Sequence, residues 1–213
     1  MTEAKSNAVI TTTNLVSFTG VSRDQRTDIL NMLMYADHFA GQIDRRDRWA
    51  GWTLHYRKQL QFARCELISR FDHSPTVINN VRELEYLNIG VKGINGTAGL
   101  EDLARRSFKA VQLKQFADHF FQFGSGAGAF SRFQIAPCEN IGEGTVVIAV
   151  CALQVSTETF SGGLFNLDED REMVVRLEGG LYRFSEQAYS ERRDYIRSRL
   201  SGVRREKLRL INL

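Results

Sequence analysis

The chain has 213 residues, a formal net charge of +3 and 43% hydrophobic residues, which is typical of a globular protein and excludes a disordered or fibrous one. Two prolines leave no proline-rich linker, and the length allows one large domain. We therefore predict an extended N-terminal arm over residues 1–20 and a single domain over residues 21–213. No stretch of the sequence reaches the roughly 18 apolar residues of a membrane-spanning helix.

The cysteines and the N-terminal residues indicate in which cellular compartment the protein is found. Cys65, Cys138 and Cys151 are odd in number and have no CxxC spacing, so they predict buried, reduced thiols rather than a disulfide framework. Such thiols suit a reducing environment. Residues 1–18 lack the basic end and the continuous apolar segment of a secretory signal. We expect a cytoplasmic protein, and export by a signal-independent route stays open.

The N-terminal elements begin with a stretch rich in β-branched residues. Residues 8–18 carry valine, isoleucine and three threonines, which predicts a strand or an extended arm. Ser22 and Gln25 have the spacing of a capping box. The apolar stripe behind them predicts a helix over residues 23–40, which Gly41 ends.

Three more helices are predicted before the middle of the chain. Apolar residues at helical spacing follow residue 48; they are Trp49, Trp52, Tyr56 and Leu60. For residues 62–69 we favour a strand over a continuation of that helix. Ser74-Pro75 predicts the start of a third helix, because proline is favoured at the first helical position. The periodicity of residues 101–121 predicts a fourth.

The second half of the chain changes to strand patterns. Residues 145–156 are almost continuously apolar, which predicts a central strand covered on both faces. The turn at residues 140–144 predicts a hairpin. Residues 173–178 alternate as in a half-exposed strand, residues 181–200 have helical spacing, and residues 208–213 predict a last strand.

The order of these elements predicts an α+β fold. Helices come first, then an antiparallel meander, then a helix, without the alternation of a parallel sheet. We expect N-terminal helices packed on a mostly antiparallel sheet, with a long C-terminal helix and a short terminal strand. A parallel nucleotide-binding sheet is not expected.

The tetrapeptide Ala-Asp-His-Phe occurs twice, at residues 36–39 and 117–120. The flanking sequences differ, which argues against an internal duplication. Adjacent side chains on a helix diverge by about 100°, whereas helical metal sites use ligands three or four residues apart. We therefore predict no metal and no cofactor. His38 and His119 remain the metal candidates, and they would share an ion only if the two segments met in space.

A basic run near the C-terminus is the candidate binding site. Eight positively charged residues lie between residues 192 and 209, and the acidic residues in or beside the run are Glu191, Asp194 and Glu206. The eight candidate anion-binding residues are Arg192, Arg193, Arg197, Arg199, Arg204, Arg205, Lys207 and Arg209. A run of this kind binds phosphates or anionic lipid, or it forms a solvated helix face.

Three classes of function are compatible with the sequence. The first, which we favour, is a non-enzymatic binding or assembly protein: a self-associating bacterial subunit or effector, forming a homo-oligomer or binding a protein partner through strand-like termini. The second is a protein that binds nucleic acid or an anionic membrane surface through the basic run, including a component of a membrane-active toxin. The third is a small hydrolase whose dispersed site would join His55, His119 and Asp168.

Overall fold

A computed structural model of the chain describes residues 7–11, 14–45, 48–71, 74–87, 89, 98–113, 116, 120, 129–157, 170–203 and 209–213. The strands are β1 (Asn7–Ile10), β2 (Asn14–Thr19), β3 (Glu66–Arg70), β4 (Thr76–Ile78), β5 (Ala129–Gly142), β6 (Thr145–Thr157), β7 (Met173–Ser185) and β8 (Arg209–Asn212). The helices are α1 (Arg23–Ala40), α2 (Trp49–Phe62), α3 (Ala98–Val111) and α4 (Glu186–Leu200), with a 3-10 helix over Val81–Tyr86.

The eight strands form one sheet in the order β3-β7-β6-β5-β2-β1-β8, and β4 also pairs with β7. Strands β2 and β5 are parallel, whereas the other pairings between described strands are antiparallel. The predicted α+β fold with a mostly antiparallel sheet, a long C-terminal helix and a short terminal strand is confirmed.

Strand β6 lies inside the sheet between β5 and β7. Its odd-numbered residues from Val147 to Val155 join one hydrophobic core, and its even-numbered residues from Val146 to Ala152 join the other. The prediction of a central strand buried on both faces is confirmed, because an apolar side chain on either side of the sheet meets a helical layer.

The predicted hairpin joins β5 to β6 through a two-residue loop. Glu143 and Gly144 have φ angles of 49° and 70°, as in the type I′ turn that matches the twist of antiparallel strands. Gly142 and Thr145 are paired across the end of the hairpin.

Helices cover the sheet on both faces. On one face α1, α2 and α4 enclose a core that includes Trp52, Tyr56 and Tyr189. On the other face α3 and the 3-10 helix enclose a core around Phe108 and Phe133. Within the described part of the chain, none of the helices combines the length and hydropathy that crossing a membrane requires.

Helix α1 begins where the sequence predicts. The Ser22 side chain accepts a hydrogen bond from the backbone N–H of Gln25, and the Gln25 side chain accepts one from the backbone N–H of Ser22. This reciprocal pair satisfies two N–H groups that a bare helix end leaves without partners. Gly41 ends the helix by donating to the carbonyl oxygen of Asp37.

Four predicted boundaries are wrong. The helix predicted over residues 101–121 is α3, which covers Ala98–Val111 and ends in a turn at Gln112. The segment after Ser74-Pro75 is a strand, Thr76–Ile78, followed by a 3-10 helix rather than an α-helix, because Thr76 and Val77 pair with β7. The C-terminal helix begins at Glu186, not at residue 181, since β7 continues to Ser185. Helix α2 continues to Phe62, so the strand predicted over 62–69 is confined to Glu66–Arg70.

The predicted arm contains strands β1 and β2. Strand β1 is paired with β2 on one side and β8 on the other, and β2 is paired with β1 and β5. Ala8 and Leu15 are fully buried. The division of the chain at residue 20 stays a prediction, although these two strands are part of the sheet.

Candidate functional site: an aromatic–arginine patch

Three helices bring four aromatic rings together at one surface. The ring centroid of Tyr35 on α1 lies 4.5 Å from that of Phe39, 5.9 Å from Phe62 at the end of α2, and 6.4 Å from Tyr195 on α4. Phe62 and Tyr195 are 5.5 Å apart in an edge-to-face arrangement, which aromatic quadrupoles favour. With two arginines these rings form the aromatic–arginine patch: Tyr35, Phe39, Phe62, Arg192, Tyr195 and Arg199.

Each arginine of the patch covers one of the exposed rings. The guanidinium carbon of Arg192 lies 4.8 Å from the centroid of Phe62, and that of Arg199 lies 5.2 Å from the centroid of Tyr195. Arg199 also donates a hydrogen bond from Nε to the hydroxyl of Tyr195 at 3.3 Å. Cation–π contact therefore keeps positive charge against the aromatic surface.

The patch has a buried base and an exposed rim. Phe62 is 36% exposed and Tyr195 is 41% exposed, whereas Tyr35 is buried. Burial raises the pKa of Tyr35, the nearby Tyr195 hydroxyl raises it further, and Arg199 and Arg192 oppose the shift. Tyr35 is therefore neutral at pH 7, as a tyrosine with an ordinary pKa would also be.

A buried carboxylate on α1 holds α4 in position. Asp28 accepts hydrogen bonds from Arg193 at 3.0 Å and from Arg197 at 3.2 Å. The bond from Arg193 is the main reason why the pKa of Arg193 is raised. Arg193 and Arg197 are one helical turn apart, so both reach the same carboxylate. We call Asp28, Arg193 and Arg197 the Asp28 ion-pair cluster.

The members of the predicted basic run lie in different surroundings in the structure. Arg192 and Arg199 belong to the patch, whereas Arg193 and Arg197 belong to the Asp28 ion-pair cluster. The backbone of Arg209 is in β8, opposite Ile10. Three more members lie outside the described residues: Arg204, Arg205 and Lys207. Anion binding by this run stays a prediction.

The two metal candidates are not brought together by any described contact. His38 is exposed, and its ring centroid lies 5.1 Å from that of Phe39. His119 lies outside the described residues, so the separation of the two imidazoles is not defined. In the part of the chain that the structure describes, no three His, Cys, Asp or Glu side chains form a group that could hold a metal ion.

The dispersed hydrolase site is defined only in part. His55 is half-buried on α2, whereas His119 and Asp168 lie outside the described residues. All three cysteines are buried free thiols, as predicted. Burial raises the pKa of the Cys65 and Cys151 thiols, which disfavours the nucleophilic thiolate.

The patch was not predicted as a unit. Its rings come from residues 35–39, 62 and 195, and only the tertiary structure brings them together. The available signal was Tyr195, an aromatic residue within a basic helix.

Comparison with known proteins supports the fold alone. No protein-family model matches the chain, and no curated protein matches it. Among solved structures, a chain named delta-endotoxin matches with a TM-score of 0.52 and 15% sequence identity. The match covers 83% of this chain and 84% of that chain. The two chains share a fold over most of their lengths.

Proposed function

We propose that this chain is a toxin-like binding protein that attaches to an anionic membrane surface through the aromatic–arginine patch. The observation that carries the proposal is the pair of exposed rings, Phe62 and Tyr195, each covered by an arginine. The ring of Tyr195 carries a hydroxyl and so favours the membrane–water interface, the ring of Phe62 adds apolar area, and arginine is attracted to anionic headgroups. The patch offers contact area and positive charge, which is the chemistry of binding rather than of catalysis.

Charge favours an anionic surface. Arg64 beside the patch is neutralised by Glu191 at 3.1 Å, so the positive charge of the patch comes from Arg192 and Arg199. The basic run continues in sequence beyond α4, through four more positively charged residues. Each basic residue close to an anionic leaflet contributes about 1 kcal/mol of attraction, so Arg192 and Arg199 add an electrostatic attraction to the contact made by the rings of Phe62 and Tyr195.

The fold supports the toxin part of the proposal. A structural neighbour is named delta-endotoxin, and a toxin component is among the functions compatible with the sequence. The identity of 15% brings no residue roles with it, so the membrane contact is argued from the patch itself.

Vesicle co-sedimentation tests the proposal. The protein is mixed with phosphatidylcholine vesicles with and without phosphatidylserine, at low and at moderate salt. We expect binding to the anionic vesicles that weakens as salt rises, because exposed charges are screened within about 10 Å at 0.1 M salt. Arg199→Gln should weaken that binding about fivefold, equivalent to about 1 kcal/mol. Tyr195→Ala should weaken it at every salt concentration.

Arg105→Gln is the matched control, because Arg105 is exposed on α3 in the opposite helical layer. Equal binding to neutral and anionic vesicles would contradict the proposal. So would loss of binding in Arg105→Gln to the same degree as in Arg199→Gln.

Self-association is a second candidate function, and strand β4 favours it. Val77 on β4 is 57% exposed, and among the described strands β4 pairs with β7 alone. An outer strand with an exposed apolar side chain is suited to pairing with another chain. Light scattering after size-exclusion chromatography should detect oligomers that Val77→Lys dissociates. A monomer at high concentration contradicts this candidate.

A further inference from the structure

Arg192 carries a positive charge that the chain itself leaves without a polar partner. Its side chain is half-buried, and its guanidinium carbon lies 4.8 Å from the ring centroid of Phe62. Nε is shielded from water and makes no hydrogen bond. In the described part of the chain, no carboxylate lies within ion-pair distance of this guanidinium. The ring holds the group in place, so it is pre-organised for an anion from outside the chain.

The two carboxylates closest to Arg192 along the chain do not serve it. Glu191 is paired with Arg64 at 3.1 Å. Asp194 is two positions away on α4, and residues two apart on a helix do not face each other. An anion that approaches Arg192 therefore does not have to displace an existing ion pair.

Arg199 places a second cation on the same face of α4. Arg192 and Arg199 are seven positions apart, which is close to two turns of about 3.6 residues, so both point towards the patch. Nε of Arg199 donates to the hydroxyl of Tyr195 at 3.3 Å, which leaves its two Nη groups for a ligand. The rings that carry the two guanidinium groups, Phe62 and Tyr195, have centroids 5.5 Å apart. The two cations thus lie on adjoining rings of one exposed surface.

We propose that Arg192 and Arg199 bind the terminal phosphate of a phosphomonoester lipid such as phosphatidic acid, a proposal that rests on the membrane attachment through the patch and names its headgroup. The two Nη groups of Arg192 donate to two phosphate oxygens, as in fork-shaped arginine–phosphate pairs. The Nη groups of Arg199 donate to the remaining oxygen. The rings of Phe62 and Tyr195 contact the lipid around that phosphate.

The charge and the oxygens of a phosphomonoester favour it over other anionic headgroups. It carries about 1.5–2 negative charges near pH 7 and three terminal oxygens, so it has acceptors for both guanidinium groups at once. A phosphodiester has fewer free oxygens and a single charge, and the carboxylate of phosphatidylserine is accompanied by an ammonium group that arginine repels. The planar guanidinium also matches phosphate geometry, which an ammonium group does not.

Charge-matched vesicles test the proposal with the full chain. Phosphatidylcholine vesicles contain either phosphatidic acid or phosphatidylserine, in proportions that give equal zeta potentials. We expect the dissociation constant from co-sedimentation to be about tenfold lower with phosphatidic acid, since one additional charged hydrogen bond corresponds to about a tenfold change in affinity. Equal affinity for the two would overturn the headgroup assignment and leave membrane attachment intact, whereas absence of binding to both would overturn both proposals.

Arg192→Lys separates the shape of the guanidinium from its charge. Lysine keeps the positive charge but lacks the rigid fork of donors, so the preference for phosphatidic acid should fall to about twofold or less. Binding to phosphatidylserine vesicles should change little. Arg105→Lys, on α3 in the opposite helical layer, is the matched control and should keep the preference of the parent. An unchanged preference in Arg192→Lys, or an equal loss in Arg105→Lys, would overturn the assignment to Arg192.

Glycerol 3-phosphate separates a lipid ligand from a soluble phosphate ester. It carries the same phosphomonoester without acyl chains, so it offers no membrane surface to the exposed rings of Phe62 and Tyr195. Isothermal titration calorimetry should give an affinity at least about tenfold weaker than that for phosphatidic acid in vesicles, counted per accessible lipid. Equal affinities would assign the site to a soluble phosphate ester and overturn the lipid assignment.

Discussion

Asp28 on α1 lies 2.8 Å from Nη2 of Arg193 on α4, and its carboxylate is only 3% exposed. This contact joins two helices that are separated by most of the chain, and it fixes the helix that carries Arg192, Tyr195 and Arg199. The Asp28 ion-pair cluster is therefore the structural support of the aromatic–arginine patch.

Asp28→Asn should destabilise the protein by about 2 kcal/mol. When all groups of an ion pair are buried, removing one partner costs more than about 2 kcal/mol of stability. Here the side chain of Arg193 is 27% exposed and that of Arg197 is 50% exposed. Water can therefore solvate the two guanidinium groups and compensate for part of the loss. Urea unfolding followed by circular dichroism measures the change. Asp102→Asn on α3, whose partners are exposed, is the control and should have a much smaller effect. Equal effects of the two substitutions would show that the Asp28 ion-pair cluster does not stabilise the fold.

Gly179→Ala should destabilise the protein by about 3 kcal/mol or more. Gly179 has a φ of +143°, and a Cβ there would overlap the carbonyl oxygen of Val150 on the neighbouring strand. Both the backbone conformation and the overlap penalise a side chain. Thermal unfolding of the variant tests this against Gly202→Ala, because a Cβ on Gly202 would meet open space. Unfolding of both variants at the same temperature as the parent would contradict the close approach of β6 to β7 at Gly179.

Glu139 should make the stability of the protein depend on pH. Its side chain accepts a hydrogen bond from the backbone N–H of Gly99 at 3.0 Å, but desolvation by burial dominates and raises its pKa above the ordinary value of 4.5. The folded state therefore favours the protonated carboxyl. The stability that this shift contributes is full below pH 4.5 and is lost as the pH rises through the raised pKa.

The measurement is the free energy of unfolding of the parent and of Glu139→Gln between acidic and neutral pH. Glutamine keeps an acceptor for Gly99 and removes the ionisation. The stability of the parent minus that of the variant should fall as the pH rises. A difference that increases with pH would mean that the hydrogen bonds from α3 outweigh the desolvation.

Local patterns predicted the parts of the fold whose contacts are close in sequence. The capping box of Ser22 and Gln25 and the β5–β6 hairpin depend on residues only a few positions apart. The parallel pairing of β2 with β5 joins Asn14 to Gln134, and no local pattern contains such a pairing. Residues 76–78 became a strand for the same reason, because their partner lies in β7.

The candidate site was predictable only as separate components. The basic character of residues 192–199 and the aromatic residues at 35 and 39 are visible in the sequence. The packing of α1, α2 and α4 decides what each arginine contacts. Arg192 covers the ring of Phe62, whereas its neighbour Arg193 pairs with the carboxylate of Asp28. Neighbouring positions on one helix thus have different roles.

Strand β6 presents a problem of alignment, because both of its faces are apolar. Shifting the strand by one residue would exchange the side chains that enter the two cores, yet nearly every exchanged residue would still be hydrophobic. Two features resolve this ambiguity. The two-residue loop at Glu143 and Gly144 fixes the pairing of β6 with β5. At the other end of β6, the hydroxyls of Ser156 and Thr157 donate to the carbonyl oxygens of Val174 and Glu172 at 3.3 and 3.2 Å. The geometry of this turn and these two hydroxyl contacts, rather than the amount of hydrophobic burial, make one alignment of the central strands better than its neighbours.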